Sequence, residues 1–323
     1  MAKNKTMKNN KKKLISIVTP CFNEDGNIEQ CYKELKKIFK LNLSNYDYEH
    51  IFCDNASKDN SIKVLRKIAT KDKNVKVIVH SRNFGAFNSF YNGMLAAKGD
   101  GIIPFFPADL QDPPEVIPKL VKEWEKGFEV VFGKKITRDE SRIMQSLRKF
   151  YYKLVSKVAN IDIPQNVGEF SLIDKKVQDA LRGFEDYYPY LRGMIASCGF
   201  KTSTVEYAWK KRLVGKTTGS ALILIDNAIN GLISFTNLPM RLCMFFGFGI
   251  SFISLIYSLY SFFMAYTGAG GGLPGIPLLI TAVFFFFGVT LFFLGVLGEY
   301  VSAIHFQVRK RPLVIEAERI NFK

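Results

Sequence analysis

Phe105–Glu115 reads FFPADLQDPPE. Ile102, Ile103, Phe105 and Phe106 lead into it as an apolar run of the kind a strand buried on both faces carries. Asp109, Gln111 and Asp112 follow, and Pro113-Pro114 stops regular structure. The stretch therefore predicts a buried strand that presents carboxylate and amide oxygens at its carboxyl edge, where open α/β sheets bind ligands. Such oxygens suit a hard cation, Mg²⁺ or Mn²⁺, carrying phosphates. Taken alone, the stretch is equally an Asx-capped polar turn ahead of a helix, and the rest of the chain has to decide.

Upstream, the same unit recurs. Leu14–Thr19, Tyr48–Cys53 and Val75–His80 read as strands, each followed by a polar loop and then a helical pattern, about 28–39, 61–70 and 86–97. The loops are PCFNEDGN from Pro20, DNASKD from Asp54 and SRNFG from Ser81. Strands alternating with helices at this spacing predict a doubly wound, mostly parallel α/β sheet. Four successive strands ending in clusters with a carboxylate or an arginine are more than a purely structural sheet requires. Beyond the quoted stretch a helix is expected over 116–125 and a strand over 129–132.

The 323 residues carry a net charge of +16, which points to an anionic partner: phosphate, nucleic acid or a lipid surface. No nucleic-acid motif accompanies the charge. The five cysteines have no CxxC spacing, which argues against a zinc site or disulfide framework and fits a reducing compartment. The three histidines are too scattered to form a metal cluster. Residues 1–13 hold six lysines, Lys3, Lys5, Lys8, Lys11, Lys12 and Lys13, with almost nothing apolar, and read as a disordered basic tail without an export signal.

Downstream, Ser141–Val158 is amphipathic, with Ile143, Met144, Leu147, Phe150, Tyr151, Leu154, Val155 and Val158 on one face and Arg142, Arg148, Lys149, Lys153 and Lys157 on the other. The basic face is either simply solvated or set against anionic lipid or phosphate. Ala221–Leu238 is apolar apart from the stripe Asp226, Asn230, Ser234 and Asn237, and suits a membrane surface. From Leu242 to Gly298 no residue is charged. That run exceeds one bilayer crossing of about 20 residues and divides at a Gly- and Pro-rich turn, so two transmembrane helices are expected, about 240–265 and 276–298. Arg241 precedes the pair, Arg309, Lys310 and Arg311 follow it, and the turn has neither lysine nor arginine. The positive-inside rule then puts both termini in the cytoplasm, at the cell's inner or plasma membrane. The expected organisation is a tail (1–13), a sheet domain (14–218), an interfacial helix (219–239), two spans (240–298) and a cytoplasmic C-terminal segment (299–323).

Two phosphate motifs fail. Gly215-Lys216-Thr217 lacks the earlier glycine of a Walker A loop, Lys210 standing in its place, and GAGGGLPG from Gly268 lies between the expected spans rather than between a strand and a helix.

With these segments in hand, the chain resembles the GT-A glycosyltransferases of family 2, and within them the polyprenyl-phosphate glycosyltransferases of the dolichol-phosphate mannosyltransferase-like group, bacterial type with two C-terminal transmembrane helices. The resemblance covers about 14–315 and rests on SIVTPCFNE (16–24), CDNASKDNS (53–61), RNFG (82–85), ADLQDPPE (108–115), NVGEFSLID (166–174) and LGEYVSAI…RKRP (297–312). It implies that Pro20, Phe22 and Glu24 line the nucleotide-sugar pocket and that Asp54 hydrogen-bonds the base or ribose. Asp109 and Gln111 are the implied metal ligands on the donor pyrophosphate. Arg142 and Ser146, four apart on one helix, and Lys216 are implied at the acceptor phosphate, with Lys135 and Arg212 as further phosphate ligands on the nucleotide-sugar side. Asp109 and Glu169 are the implied catalytic pair. A lipid phosphate is already anionic at neutral pH, so Glu169 is expected to orient the acceptor or the sugar as much as to take a proton.

Three positions depart from the family pattern. Pro107 stands where an aspartate usually begins the metal motif, Glu169 where an aspartate is usual, and Thr217-Thr218 where a serine-lysine pair is usual, with Lys216 as a substitute phosphate ligand. The implied function is inverting transfer of one sugar from a UDP- or GDP-sugar to a polyprenyl phosphate at the cytoplasmic leaflet, with Mg²⁺ or Mn²⁺ as cofactor, the bilayer and a possible second copy as partners, and no nucleic acid. Two rivals stand beside it. A polysaccharide synthase would need a QxxRW-type motif, and neither Trp124 nor Trp209 lies in one. A non-catalytic nucleotide-sugar-binding membrane scaffold would bind donor and make no glycolipid.

Overall fold

The computed structural model describes residues 12–136, 167–186, 189–210, 238–267 and 275–322. The chain divides into a sheet unit, which takes in Arg311–Lys323, and a helical unit spanning Ser220–Lys310.

The sheet starts from β1 (Leu14–Cys21), buried over most of its length because both of its faces are covered. It pairs in parallel with β2 (Asp47–Asp54) and with β4 (Gly101–Ile103), and β2 pairs in parallel with β3 (Val75–His80). The helices between them follow the expected pattern: α1 (Asp25–Asn42) and α2 (Ser61–Lys71) run longer than expected, and α3 (Ala86–Ala96) ends one residue earlier. On α1 the buried positions Ile28, Cys31, Leu35, Ile38 and Phe39 recur at helical spacing and form one face toward the core. A single 3₁₀ turn (Pro114–Val116) precedes α4 (Ile117–Glu125), and β5 (Val130–Lys135) runs three residues beyond the strand expected there.

Past β5 the sheet turns mixed. The strand β6 (Val167–Asp174) is antiparallel to both β4 and β5, and β7 (Thr202–Tyr207) is parallel to β5. Between them lie the short helices α5 (Lys175–Leu181) and α6 (Leu191–Ser197). The eighth strand, β8 (Glu316–Ile320), follows the helical unit in sequence and pairs antiparallel with β3, giving the order β7-β5-β6-β4-β1-β2-β3-β8. No strand was expected here, since Glu316, Glu318 and Arg319 interrupt any apolar pattern. Charged residues are how sheets protect an edge. The strand is fixed by Asn321, whose Nδ2 donates to the carbonyls of Ala69 (2.7 Å) and Val75 (2.8 Å), by Asn92 donating to Glu316 (2.7 Å), and by the Arg66–Glu318 ion pair (2.5 Å).

The helical unit holds α7 (Leu238–Tyr266) and α8 (Gly275–Val308). Large apolar side chains such as Phe245, Phe248, Phe263, Phe287 and Phe292 are exposed on them. Two spans were expected. Among the described residues one stretch, Phe285–Val308, is long and apolar enough to cross a membrane, with a mean hydropathy of 1.7, and Leu242–Ser254 is a shorter apolar stretch. The expected helix over 141–158 and most of the interfacial one lie outside the described residues.

Gly93 on α3 shows how closely helix and sheet approach. A Cβ there would lie 2.5 Å from both Cys53 Sγ and Val18 Cγ1. Gly93→Ala is expected to lower stability by about 1–3 kcal/mol through overpacking, although alanine favours a helix by about 1 kcal/mol. Thermal unfolding checks this, and an unchanged midpoint would contradict the close approach.

Candidate active site

Parallel pairing brings the loops after β1 and β2 to one sheet edge, and short hydrogen bonds interlock them. Cys21 stands opposite Asp54 in the register, and Asn55 N donates to Cys21 O at 2.9 Å. Asn23, held in the left-handed region (φ 57°), donates its N–H to Ser57 Oγ (3.0 Å) and accepts from Lys58 N (2.8 Å). Glu24 N donates to Ser61 Oγ (2.9 Å) and Asp25 N to Asp59 Oδ2 (3.1 Å). The Glu24 side chain accepts from Asn27 Nδ2 at 2.5 Å, and Phe22 stands partly exposed at the rim. Asp54 is buried, and its Oδ2 accepts from Ser57 N at 3.1 Å. Pro20, Phe22, Glu24 and Asp54 are thus brought together.

Asn55 ties in the third loop. Its Oδ1 accepts from Phe84 N (3.0 Å) and faces His80 Nδ1 (3.2 Å), while its Nδ2 donates to Gly85 O (3.1 Å). Burial holds the His80 imidazole below its ordinary pKa, so it sits neutral among these polar groups. Gly85 adopts φ 86°, a conformation that favours glycine.

The fourth loop is FFPADLQDPPE. Phe106 N donates to Val18 O at 2.8 Å, which carries the β4–β1 pairing past the strand. A turn follows, with Leu110 at φ 56° and Asp109 Oδ1 accepting from Gln111 N at 3.2 Å. This Asx turn draws the two expected metal ligands together. Asp112 is buried and acts differently: it accepts from Tyr207 Oη at 2.6 Å and pairs with Lys135 Nζ at 3.1 Å. Lys135 also lies 5.0 Å over the Trp209 ring, and Lys210 N donates to Gln111 O at 3.0 Å. The metal-motif loop is therefore pinned from β5, β7 and the segment after β7. Lys135, expected on the donor phosphates, is placed as the counter-charge of Asp112.

Glu169 reaches the same edge by topology. Since β6 runs antiparallel to β4, its amino end lies where β4 ends. Its side chain is buried, and Arg192 Nε lies 2.7 Å from Oε1. Burial raises the carboxyl above its usual pKa range, opposed by Arg192 and then by Lys135. Sequence reasoning missed Arg192 and Tyr207, which carried no signal, and gave no separate role to Asn55 and Asp112, which lie inside motifs it singled out. Arg142, Ser146, Arg212 and Lys216 lie outside the described residues.

Residues 16–182, most of this sheet and all four loops, match the family model described as Glycosyl transferase family 2. The chain belongs to that family. This glycosyltransferase is similar over nearly its whole length to several relatives. The uncharacterized glycosyltransferase YkcC of Bacillus subtilis (strain 168) is 34% identical over 301 residues, 93% of this chain and 92% of the relative. The prophage bactoprenol glucosyl transferase homolog of Escherichia coli (strain K12) is 32% identical, covering 93% of this chain and 97% of its own. The bactoprenol glucosyl transferase of Shigella phage SfV is 31% identical, with the same coverage. Among solved structures, glucosyl-3-phosphoglycerate synthase from Mycobacterium tuberculosis aligns with a TM-score of 0.47 at 17% identity, over 69% of this chain and 80% of that one.

The anchor of the metal-motif loop can be tested on the folded chain. Lys135→Met strands the buried Asp112 charge and is expected to cost about 3–5 kcal/mol. Tyr207→Phe removes one hydrogen bond to it and is expected to cost about 1–3 kcal/mol. Thermal unfolding of the two variants checks the order, and a harmless Lys135→Met would contradict the anchor.

Proposed function

We propose that this family 2 glycosyltransferase moves one sugar from a nucleoside diphosphate sugar, UDP- or GDP-linked, to a polyprenyl phosphate at the cytoplasmic leaflet, inverting the anomeric carbon. The observation that carries the proposal is the convergence of Asp54, the Asp109–Gln111 turn and Glu169 on one sheet edge, in a chain that continues into long apolar helices. The relatives named bactoprenol glucosyl transferases cover the helical part as well as the sheet, which favours a lipid acceptor over a soluble one.

Asp54, with its carboxylate at the end of β2, suits the N–H and O–H donors of a base or ribose. Phe22 and Pro20 offer apolar surface beside it. The oxygens of Asp109 and Gln111 fit a hard divalent cation that takes one or two protein ligands and completes its shell with phosphates and water. Such a cation, Mg²⁺ or Mn²⁺, neutralises charge on the leaving diphosphate when bound. Pro107 offers no third oxygen side chain to that turn. Arg142, Ser146, Lys216 and Arg212 remain the proposed phosphate ligands. Glu169 is proposed to orient the acceptor or the sugar.

The chain's connectivity supports a membrane hairpin. Sheet residues precede α7, and β8 rejoins the sheet after α8. If α8 crosses a bilayer, the chain must cross an even number of times to return to the same unit. Arg241 on one flank and Arg309, Lys310 and Arg311 on the other favour a cytoplasmic location of both flanks under the positive-inside rule.

The test is a kinetic comparison on the full chain in lipid vesicles with polyprenyl phosphate. Asp109→Asn is expected to lower kcat by roughly 100-fold through lost charge stabilisation. Asp54→Ala is expected to raise the donor KM by roughly 10- to 100-fold, the loss of a charged hydrogen bond. NMR of the product should show the opposite anomer from the donor. Donor binding without turnover, or wild-type kinetics in Asp109→Asn, would sink the proposal.

A further inference from the structure

A carboxylate removed from water needs hydrogen-bond donors or a counter-charge. Among the described residues Oε2 of Glu169 has no hydrogen-bond partner. What Oε1 has is the Arg192 ion pair, with Nε 2.7 Å away. The guanidinium is itself held in place. Its Nη1 donates to Val167 O at 2.9 Å, two residues before Glu169 on the same strand, and it lies 5.0 Å from the Tyr190 ring centre. Only 16% of the Arg192 side chain and 12% of the Glu169 side chain are exposed. The start of α6 is thereby clamped to the strand that carries the acid.

We infer that Arg192 is a positioning residue for sugar transfer, holding the Glu169 carboxylate as its buried counter-charge at Oε1 and leaving Oε2 to accept from a substrate O–H, either a sugar hydroxyl or the P–OH of the acceptor. The inference rests on the reading of Glu169 given above. A single contact from Nε to Oε1 takes at most one of the carboxylate's roughly four lone-pair sites, so the counter-charge is supplied while acceptor sites stay open. Among the described residues the other charges facing Glu169 are Lys135 on β5 and, paired with it, Asp112, which also accepts from Tyr207 on β7. With Arg192 gone, Lys135, already shared with Asp112, is the remaining counter-charge among the described residues.

The test compares pH profiles of kcat/KM for wild type, Arg192→Gln, Arg192→Lys and Glu169→Gln in vesicles. Removing the guanidinium raises the Glu169 carboxyl further, so the acid limb of Arg192→Gln should move up by about one pH unit or more. That is a roughly tenfold loss at any pH on the limb, regained at high pH. The acceptor phosphate titrates near 6 in every variant, so the difference between profiles isolates Glu169. Arg192→Lys keeps the charge and should keep the wild-type limb with a lower kcat; if Arg192→Gln does not fold, this variant decides, and a wild-type kcat overturns the inference. A pH-independent loss in Arg192→Gln makes Arg192 structural only and overturns it too. Full activity in Glu169→Gln overturns the reading of Glu169 itself, and the inference with it.

Discussion

Eight residues of β1 pair in parallel with eight of β2, and this register is the constraint on which the rest depends. It sets Cys21 beside Asp54, so the two loops leave the sheet side by side and satisfy their backbone groups on each other's side chains. A shift of one residue would turn every side chain on one strand to the opposite face and separate Asp54 from the loop after β1. The far end of the same strands is locked independently. Ser16 Oγ donates to the buried Glu49 at 2.5 Å, Lys98 N donates to it at 2.7 Å, and Lys76 pairs with its other oxygen. Breaking such a buried pair is costly, so β1, β2 and β3 are held together away from the chemistry. With the strands fixed there, the carboxyl edge tolerates left-handed residues such as Asn23, Ala56 and Leu110.

The first half of the sheet was legible because its signals are local. Apolar strands, polar loops and helical periods lie within short windows, and Asp54, Asp109 and Gln111 stand where those windows meet. The second half depends on pairing between distant segments. Nothing near Glu316 announces a strand, because its partner is β3, far away in the chain, and its outward positions are charged. Asp112 was legible as part of a polar cluster, but its role as an anchor comes from Tyr207 and Lys135, which only the sheet brings within reach. Arg192 was silent for the same reason. The second apolar helix ran ten residues past its expected end because Glu299 closes the uncharged run without ending the helix.

The site that results divides its work between half-buried and buried polar groups. Asp109 and Gln111 sit on a turn whose shape is set locally, while Asp112, Lys135 and Tyr207 hold that turn from beneath. Glu169 arrives from an antiparallel strand, so the acid and the proposed metal ligands are supplied by different segments on one rigid sheet, the arrangement that fixes reacting groups most firmly. A polyprenyl phosphate keeps its reacting oxygen at headgroup level. The proposed function therefore needs the transferring groups brought to that level, a role it assigns to the apolar helices of the same chain.

The decisive measurement incubates vesicles containing the full chain with polyprenyl phosphate and, in turn, each labelled UDP- and GDP-sugar, and follows label into the organic phase. The expected result is label from a single donor, and only when polyprenyl phosphate is present. Label that reaches the lipid phase without polyprenyl phosphate, or no labelled lipid from any donor although the nucleotide sugar binds, would contradict the account.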